Sequence, residues 1–168
     1  MPEPLPADVQ DLLALHLVPG LGPRLTAALL ELFGSARAVL KASSQELQRV
    51  PHIGAKLAQD LAVSLRTVDV AAELERMARH NVHLLALGRD GYPAPLAEIA
   101  DPPHLLYVGG SLEPRDASAV AVVGSRQCTS YGKRVAERLA GDLARAGVTV
   151  ISGFPRGTTL ITPGSSLT

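Results

Sequence analysis

Three consecutive residues, Gly124, Ser125 and Arg126, have the side chains expected of a turn that binds an anion. They lie between a short apolar segment, residues 119–123, and a segment with helical spacing, residues 131–146. The free N–H groups and the dipole at the start of a helix attract negative charge. A guanidinium can also hold two phosphate oxygens at once, which a lysine does less well. We therefore expect this turn to bind a phosphate group.

A second polar turn is expected beside the first. Residues 148–151 form another apolar segment, and Ser152 and Gly153 follow it. The order strand, helix, strand predicts two parallel strands joined by a right-handed crossover, whose carboxyl ends share one crevice. Ser130 is expected to cap the intervening helix, and Thr129 adds a hydroxyl. The predicted phosphate-binding residues are Gly124, Ser125, Arg126, Thr129, Lys133, Ser152, Gly153 and Arg156.

The first turn matches neither of the common nucleotide motifs. It lacks the three glycines of a dinucleotide fingerprint, and no P-loop ending of Lys followed by Ser or Thr is present. A single glycine between a strand and a helix also occurs for steric reasons alone. The predicted crevice therefore suits phosphates in general, whether of a nucleotide or of a nucleic acid.

The distribution of charge favours a nucleic acid. The chain has no net charge, yet residues 1–125 contain ten Lys and Arg against fourteen Asp and Glu, and residues 126–168 contain six against two. A basic excess that begins at the turn suits a polyanion. Only 3% of the residues are aromatic, so few side chains can stack on bases.

Other classes of function find little support in the residues. The five histidines show no metal-ligand spacing, and no carboxylate pair stands near the predicted crevice. We expect no enzymatic activity, no cofactor, and neither a catalytic nor a metal site. The single cysteine, Cys128, excludes a disulfide framework, and neither a secretory signal pattern nor an apolar run of membrane-spanning length is found. These features predict a cytoplasmic protein without a membrane partner.

The first third of the chain alternates helical patterns with glycine turns. Apolar spacing predicts helices over residues 8–17, 25–33, 36–40, 45–50, 55–65 and 69–80, the last with an apolar face of Val70, Leu74 and Met77. Residues 18–25 recur as residues 50–57, a paired unit of helix-hairpin-helix type. The secondary DNA contacts predicted there are Gly20, Gly22, Arg24, Gly54 and Lys56. Because this segment is net acidic, a scaffold or docking role is the alternative.

The remainder of the chain predicts a sheet. Strands are expected at residues 82–87, 105–108, 119–123 and 148–151, and the helix between the last two is expected to bury Val135, Leu139, Leu143 and Ala146. The predicted fold is α/β, with an all-helical SAM-like module (1–68) followed by an incomplete Rossmann-like parallel sheet (69–153). Residues 154–168 are expected to be a divergent, disordered coil. A parallel sheet needs more strands, so we expect a truncated or frame-altered product.

Several motifs occur together with these elements. They are the glycine hairpins, Tyr-Pro-Ala-Pro-Leu at 92–96, Asp-Pro-Pro-His-Leu-Leu-Tyr at 101–107, Val-Gly-Ser-Arg at 123–126, Ser-Tyr-Gly at 130–132 and Ile-Ser-Gly at 151–153. In this order they resemble the DNA-processing protein A (DprA/Smf) family, over residues 1–153. The chain departs from the family pattern at Pro155 and after Gly157.

The resemblance implies an extended Rossmann-like fold and single-stranded DNA binding without sequence preference. It implies protection of incoming DNA in natural transformation, loading of the RecA recombinase, and no catalysis. Single-stranded DNA, RecA and single-stranded-DNA-binding protein are the implied partners, and the family forms homodimers. Gly124, Ser125 and Arg126 would hold DNA phosphates, with Ser152 and Gly153 as the adjoining wall.

Two alternatives come from other classes of function. The same turns could hold a mononucleotide phosphate in an enzyme, which requires a general acid or base beside the crevice. The chain could also be an interaction module that docks through its helices. Stabilisation by a mononucleotide alone would favour the enzyme, and failure to bind any nucleic acid would favour the module.

Overall fold

The protein is described by a computed structural model over residues 5–117, 119–125, 127–154 and 157–161. The fold is mixed α/β, and the chain divides into two compact units, Met1–Ser111 and Leu112–Thr168. The sequence predicts a different division, into domains at 1–68, 69–153 and 154–168. That division stays a prediction. The units differ from them because the elements after residue 68 pack on the first helix, as shown below.

The first unit is built mainly from short helices. They are α1 (Ala7–His16), α2 (Pro23–Phe33), α3 (Ala36–Lys41), α4 (Ser44–Leu47), α5 (Ala55–Thr67), α6 (Val70–Arg79) and α7 (Ala94–Ala97). The six helices predicted from apolar spacing are confirmed to within a few residues at their ends. Three of these helices have a side-chain N-cap. Ser35 accepts from the N–H of Ala38, Ser43 forms a capping box with Glu46, and Asp69 accepts from the N–H of Ala72.

Two apolar clusters hold the first unit together. The larger lies among α1 to α5 and includes Leu15, Leu29, Leu47 and Leu61. The smaller joins α1 to α6 and to the sheet that follows, through Val9, Leu13, Met77, Ala86 and Leu105. The predicted inner face of α6 is confirmed, since Val70 and Leu74 pack on this second cluster beside Met77. Burying each leucine stabilises the fold by about 1.5–3 kcal/mol.

Strands β1 (Val82–Ala86) and β2 (Leu105–Gly109) form a separate two-stranded antiparallel sheet. Val82 pairs with Gly109 at one end, and Ala86 pairs with Leu105 at the other. The strands were predicted, but their place in a parallel sheet is wrong. The connection between them, residues 87–104, is long enough for a crossover, but its helix α7 is a single turn and too short to pack across a sheet as a crossover helix usually does.

The second unit contains the expected strand, helix and strand. After a 3₁₀ turn, Pro114–Ala117, come β3 (Ala119–Val122), α8 (Ser130–Arg145) and β4 (Thr149–Phe154). The two strands pair in parallel, with Ala119 beside Thr149 and Val122 beside Ser152. The parallel pairing predicted from the sequence is therefore confirmed.

A further strand, β5 (Gly157–Ile161), pairs antiparallel with β4, so the sheet order is β3-β4-β5. The prediction of coil over residues 154–168 is wrong for residues 157–161. Threonine and isoleucine favour extended backbone, and the open edge of β4 offers the hydrogen-bonding groups that a new strand needs. The disorder predicted for residues 155–156 and 162–168 lies outside the described residues.

Candidate nucleic-acid interface

The polar turn predicted to bind phosphate follows the end of β3, which lies beside β4. Val122, the last residue of β3, pairs with Ser152, and Gly124 and Ser125 follow after Val123. Four residues separate Ser125 from the start of α8 at Ser130. Parallel pairing thus brings the turn next to Ser152, although the whole of α8 separates them in the sequence.

Gly124 is exposed and keeps the surface of the turn open. Its φ is not in the left-handed region, and a Cβ built on it would meet no atom within 4 Å. The turn therefore does not depend on the conformational freedom of glycine. What the missing side chain provides is room for another molecule to approach the backbone.

The hydroxyls of Ser125 and Thr129 order the backbone that enters α8. Ser125 Oγ accepts a hydrogen bond of 3.1 Å from the N–H of Gln127. Thr129 Oγ1 accepts one of 3.1 Å from the N–H of Gly132, so Thr129 caps the helix and the prediction of Ser130 as the cap is wrong. A threonine oxygen, like a serine oxygen, can satisfy an otherwise free N–H at the start of a helix. Both hydroxyl hydrogens still have a donor role available, because each oxygen acts here as an acceptor.

Lys133 lies on the exposed surface of the first turns of α8. Its Nζ is 3.8 Å from Glu137 Oε1, and both side chains are more than half exposed. An exposed pair of this kind contributes little to stability, so an anion can compete for the ammonium.

Ser152 and Gly153 lie within β4, and the prediction that they form a turn is wrong. The strand continues through them to Phe154, because β5 pairs with it: Ser152 lies opposite Thr159 and Gly153 opposite Thr158. Ser152 still faces the end of β3 on its other side. The predicted site residues Arg126 and Arg156 lie outside the described residues.

The exposed side of α8 carries apolar side chains that were predicted to be buried. Val135 is 45% exposed and Leu139 is 50% exposed, and Ala146 is also on the surface. Ala140 is the buried residue of this helix, and Leu143 is half-buried. The covered side of the helix is thus the one that carries Ala140, and Val135 and Leu139 lie on the side open to solvent.

A hydrogen bond of a buried side chain at the opposite end of the strands was not predicted from the sequence. Thr149 is fully buried, and its Oγ1 donates a 2.7 Å hydrogen bond to Asp116 Oδ1. Asp116 lies in the 3₁₀ turn before β3, at the amino end of the parallel pair. This carboxylate therefore lies at the edge of the sheet away from the phosphate turn. The sequence shows only that position 149 is a threonine. Its burial and its hydrogen-bond partner both depend on the fold.

The two helical hairpins have matching backbone geometry. The N–H of Leu21 donates to the carbonyl of Val18, and the N–H of Ile53 donates to the carbonyl of Val50, at 3.3 and 3.2 Å. Gly20 has a φ of +85°, and His52 takes the same place with a φ of +69°. The predicted repeat is thus visible in the backbone, and histidine stands in the left-handed conformation that glycine adopts without strain.

The residues predicted to contact DNA at these hairpins have different surroundings from one another. Gly22 and Gly54 are the N-cap residues of α2 and α5, and neither helix has a side-chain cap. Arg24 forms an ion pair with Asp101 at 2.9 Å, and the hydrogen bond to this carboxylate raises the pKa of the guanidinium. Lys56 is exposed and makes no ion pair with the described residues. The charge of Arg24 is thus already engaged within the first unit.

A small cavity in the first unit has a volume of about 60 Å³. Two histidines line it, together with Leu12, Leu21, Pro23, Thr26 and Pro103. Burial lowers the pKa of His16, against an opposing effect of Glu73, and burial also lowers the pKa of His104. Small-molecule sites typically enclose about 300–1,000 Å³, so this cavity does not suit a nucleotide. The described residues include no cluster of potential metal ligands.

Comparison with known proteins identifies the chain. Residues 83–167 match the family described as DNA recombination-mediator protein A, and residues 9–67 match the SAM-like helix-hairpin-helix tandem. The chain belongs to the DNA recombination-mediator protein A family. The match extends to residue 167 and so includes most of the segment for which a divergence from the family was predicted.

Relatives in this family carry the names Smf and DprA. Protein Smf of Synechocystis is 30% identical over 149 residues, which is 86% of this chain and 37% of that protein. Protein Smf of Escherichia coli is 32% identical over 63% of this chain and 31% of its own length. DNA processing protein DprA of Streptococcus pneumoniae is 38% identical over 40% of this chain and 24% of its own length. The chain thus spans about a third of the length of the first two. Within the described part of the chain, every helix is too short or too polar to cross a bilayer.

Proposed function

We propose that this chain binds single-stranded DNA without sequence preference, by holding its phosphates at the turn formed by residues 124–129. The observation that carries the proposal is the open turn at the carboxyl end of β3. There, an exposed Gly124 and two exposed hydroxyl side chains, Ser125 and Thr129, precede the positive end of α8. Backbone N–H groups, hydroxyls and a helix dipole together favour a phosphate.

Charge in the same unit supports a polymeric anion. Arg126 belongs to the sequence of the turn, Lys133 comes four residues after it, and Arg156 follows β4. Residues 126–168 hold six Lys and Arg against two Asp and Glu. Each phosphate that these cations neutralise releases condensed counterions, which makes binding to a strand stronger than binding to one phosphate. We infer that Ser152 and Gly153 line the side of the turn that faces β4.

We propose a binding role rather than catalysis. Among the described carboxylates of the second unit, Asp116 lies at the amino end of β3 and is bonded to Thr149, and Glu137 on α8 is paired with Lys133. A general acid or base would have to reach the phosphate turn at the other end of the strands. No cofactor is needed for the binding that we propose.

The role in the cell that follows is DNA processing in natural transformation and recombination. The names DNA recombination-mediator protein and DNA processing protein, carried by the family and by relatives, support it. We propose that the bound strand is protected in the cytoplasm and passed to the RecA recombinase, with single-stranded-DNA-binding protein as a further partner. A homodimer, as the resemblance implies, belongs to the same proposal. The helical hairpins, through Gly20, Gly22, Gly54 and Lys56, are proposed as secondary contacts with the strand.

Substitution of Arg126 tests the proposal. Fluorescence anisotropy with a labelled oligothymidine should show that Arg126→Ala weakens binding by roughly tenfold or more, because a charge-assisted contact is lost. The slope of affinity against salt concentration should also become shallower, since about one fewer counterion is released. Arg145→Ala, at the far end of α8 and paired with Asp142, is the matched control and should change affinity much less.

Two outcomes would contradict the proposal. One is an Arg126→Ala variant whose affinity and salt slope equal those of the unchanged chain. The other is a thermal unfolding temperature that rises with a mononucleotide and not with an oligonucleotide, which would favour the nucleotide-dependent enzyme.

A further inference from the structure

We propose that Tyr131 is a platform on which a base of the bound strand stacks, with Val123 as a second apolar contact on the other side of the phosphate turn. This inference rests on the proposed function, since it assigns the bases of the same strand whose phosphates the turn would hold.

Exposure of these two side chains is the first argument. Val123 is 85% exposed and Tyr131 is 70% exposed, the two highest fractions among the large apolar side chains that the structure describes. Single exposed apolar residues are common on protein surfaces. Here the two most exposed ones stand immediately before and just after one polar turn, residues 124–129. A polar turn with an apolar side chain on each side matches a ligand whose phosphates and bases alternate.

The other described aromatic rings are engaged elsewhere. Tyr92 donates a 2.7 Å hydrogen bond to the carbonyl of Pro103 and is half-buried. The ring of Tyr107 packs on that of His16, with 5.5 Å between the ring centroids. Phe33 packs against the larger apolar cluster of the first unit. Tyr131 is therefore the ring most available to a nucleobase among the described residues.

The surface of α8 beyond Tyr131 fits a strand that continues along the helix. Val135 and Leu139 extend an apolar stripe from Tyr131 at intervals of four residues, the spacing of one helix face. Arg134 and Arg138 lie three and seven residues beyond Tyr131, on the flank of the same stripe. The side chain of Arg138 is 86% exposed, and its 3.9 Å pair with the exposed Asp142 is weak enough for a phosphate to compete. An apolar stripe beside a row of cations places bases and phosphates side by side, as in proteins that bind single strands without sequence preference.

The test compares a normal strand with one that lacks bases. Tyr131→Ala should weaken binding of an oligothymidine by roughly five- to 100-fold, the loss typical of one stacked base. The same variant should bind an abasic strand of equal length as the unchanged chain does, because the phosphates are retained. Tyr131→Phe keeps the ring and should stay within about twofold of the unchanged chain. Val63→Ala, which removes a 64% exposed apolar side chain from α5, is the control.

Each result decides a different point. Tyr131→Ala binding oligothymidine normally, while Arg126→Ala does not, would overturn the stacking and leave the phosphate site. Arg126→Ala binding both strands normally would overturn the phosphate site itself. Equal losses on both strands would show that Tyr131 acts through the shape of α8 and would also overturn the stacking. If circular dichroism shows that Tyr131→Ala is unfolded, Tyr131→Leu is used in its place. The proposal is then supported only if Tyr131→Leu loses affinity for the base-bearing strand and Tyr131→Phe does not.

Discussion

The two compact units use their apolar side chains in opposite ways. In the first unit, Leu13, Leu15 and Leu29 have no exposed surface, and every helix from α1 to α6 contributes to a shared core. In the second unit, the described side chains of Val123 and Tyr131 are mostly exposed. The contrast places most of the described apolar core in the first unit, whereas the DNA recognition that we propose belongs to the second. Substitutions can therefore change one property without the other.

The largest effect is expected from a cavity in the first core. Leu61→Ala on α5, where the side chain is 1% exposed, should lower the free energy of unfolding by about 2–5 kcal/mol. Hydrogen exchange measured by mass spectrometry should show lost protection in peptides of the first unit and unchanged protection in the second. Leu32→Ala, at a 45% exposed position of α2, should cost about 0.5 kcal/mol or less. An equal loss of protection in both units would contradict the division of stability.

A smaller effect is expected in the second unit. Thr149→Val preserves the shape of the buried side chain but removes the donor to Asp116 Oδ1. The loss should lower the stability of this unit by about 1–3 kcal/mol, because a carboxylate oxygen loses a hydrogen bond in a partly buried place. Thr67→Val, whose hydroxyl bonds exposed carbonyls at the end of α5, is the control with little expected effect. Amide hydrogen exchange measures both effects. If protection changes equally little in the two variants, the Thr149 hydrogen bond stabilises the protein no more than an exposed one does.

The smallest effect is a dependence on pH confined to the first unit, which contains all five histidines. Burial lowers the pKa of His16 and His104 below their ordinary value of 6.5, so the unfolded chain binds more protons than the folded one. The stability of the first unit should therefore fall as the pH drops through about 6.5, until the folded-state pKa values are passed. His16→Gln with His104→Gln should flatten the hydrogen-exchange profile of this unit against pH. A profile equally steep without the two imidazoles would assign the effect to other groups.

Local patterns in the sequence predicted most of the elements. The helices from α1 to α6 follow from apolar spacing, and β3, α8 and β4 follow from one strand-helix-strand pattern. The inner face of α6 was identified correctly through Met77 and its neighbours. On α8 the same rule failed for Val135 and Leu139, which are exposed. Periodicity finds an apolar stripe, but the rest of the fold decides whether that stripe is covered.

The features that sequence reasoning missed depend on pairing between distant segments. The antiparallel pairing of β1 with β2 and the strand β5 are set by which edges are open, which no local pattern reports. Extension of β4 through Ser152 and Gly153 has the same origin. At the turn itself, the adjacency of Gly124 to β4 was predicted from the parallel connection. The predicted cap was one residue away from Thr129, since both Thr129 and Ser130 have a hydroxyl that can accept from a helix N–H.

The parallel pairing of β3 with β4 has a consequence for the order of folding. Within the second unit, α8 forms from contacts between neighbouring residues, whereas β3 pairs with β4 only across the whole of α8, as Ala119 does with Thr149. Contacts between residues far apart in the chain carry a larger loop-closure entropy and form more slowly. The phosphate turn should thus acquire its geometry late during refolding. The ability to bind a strand would then report that the last long-range pairing of this unit is complete.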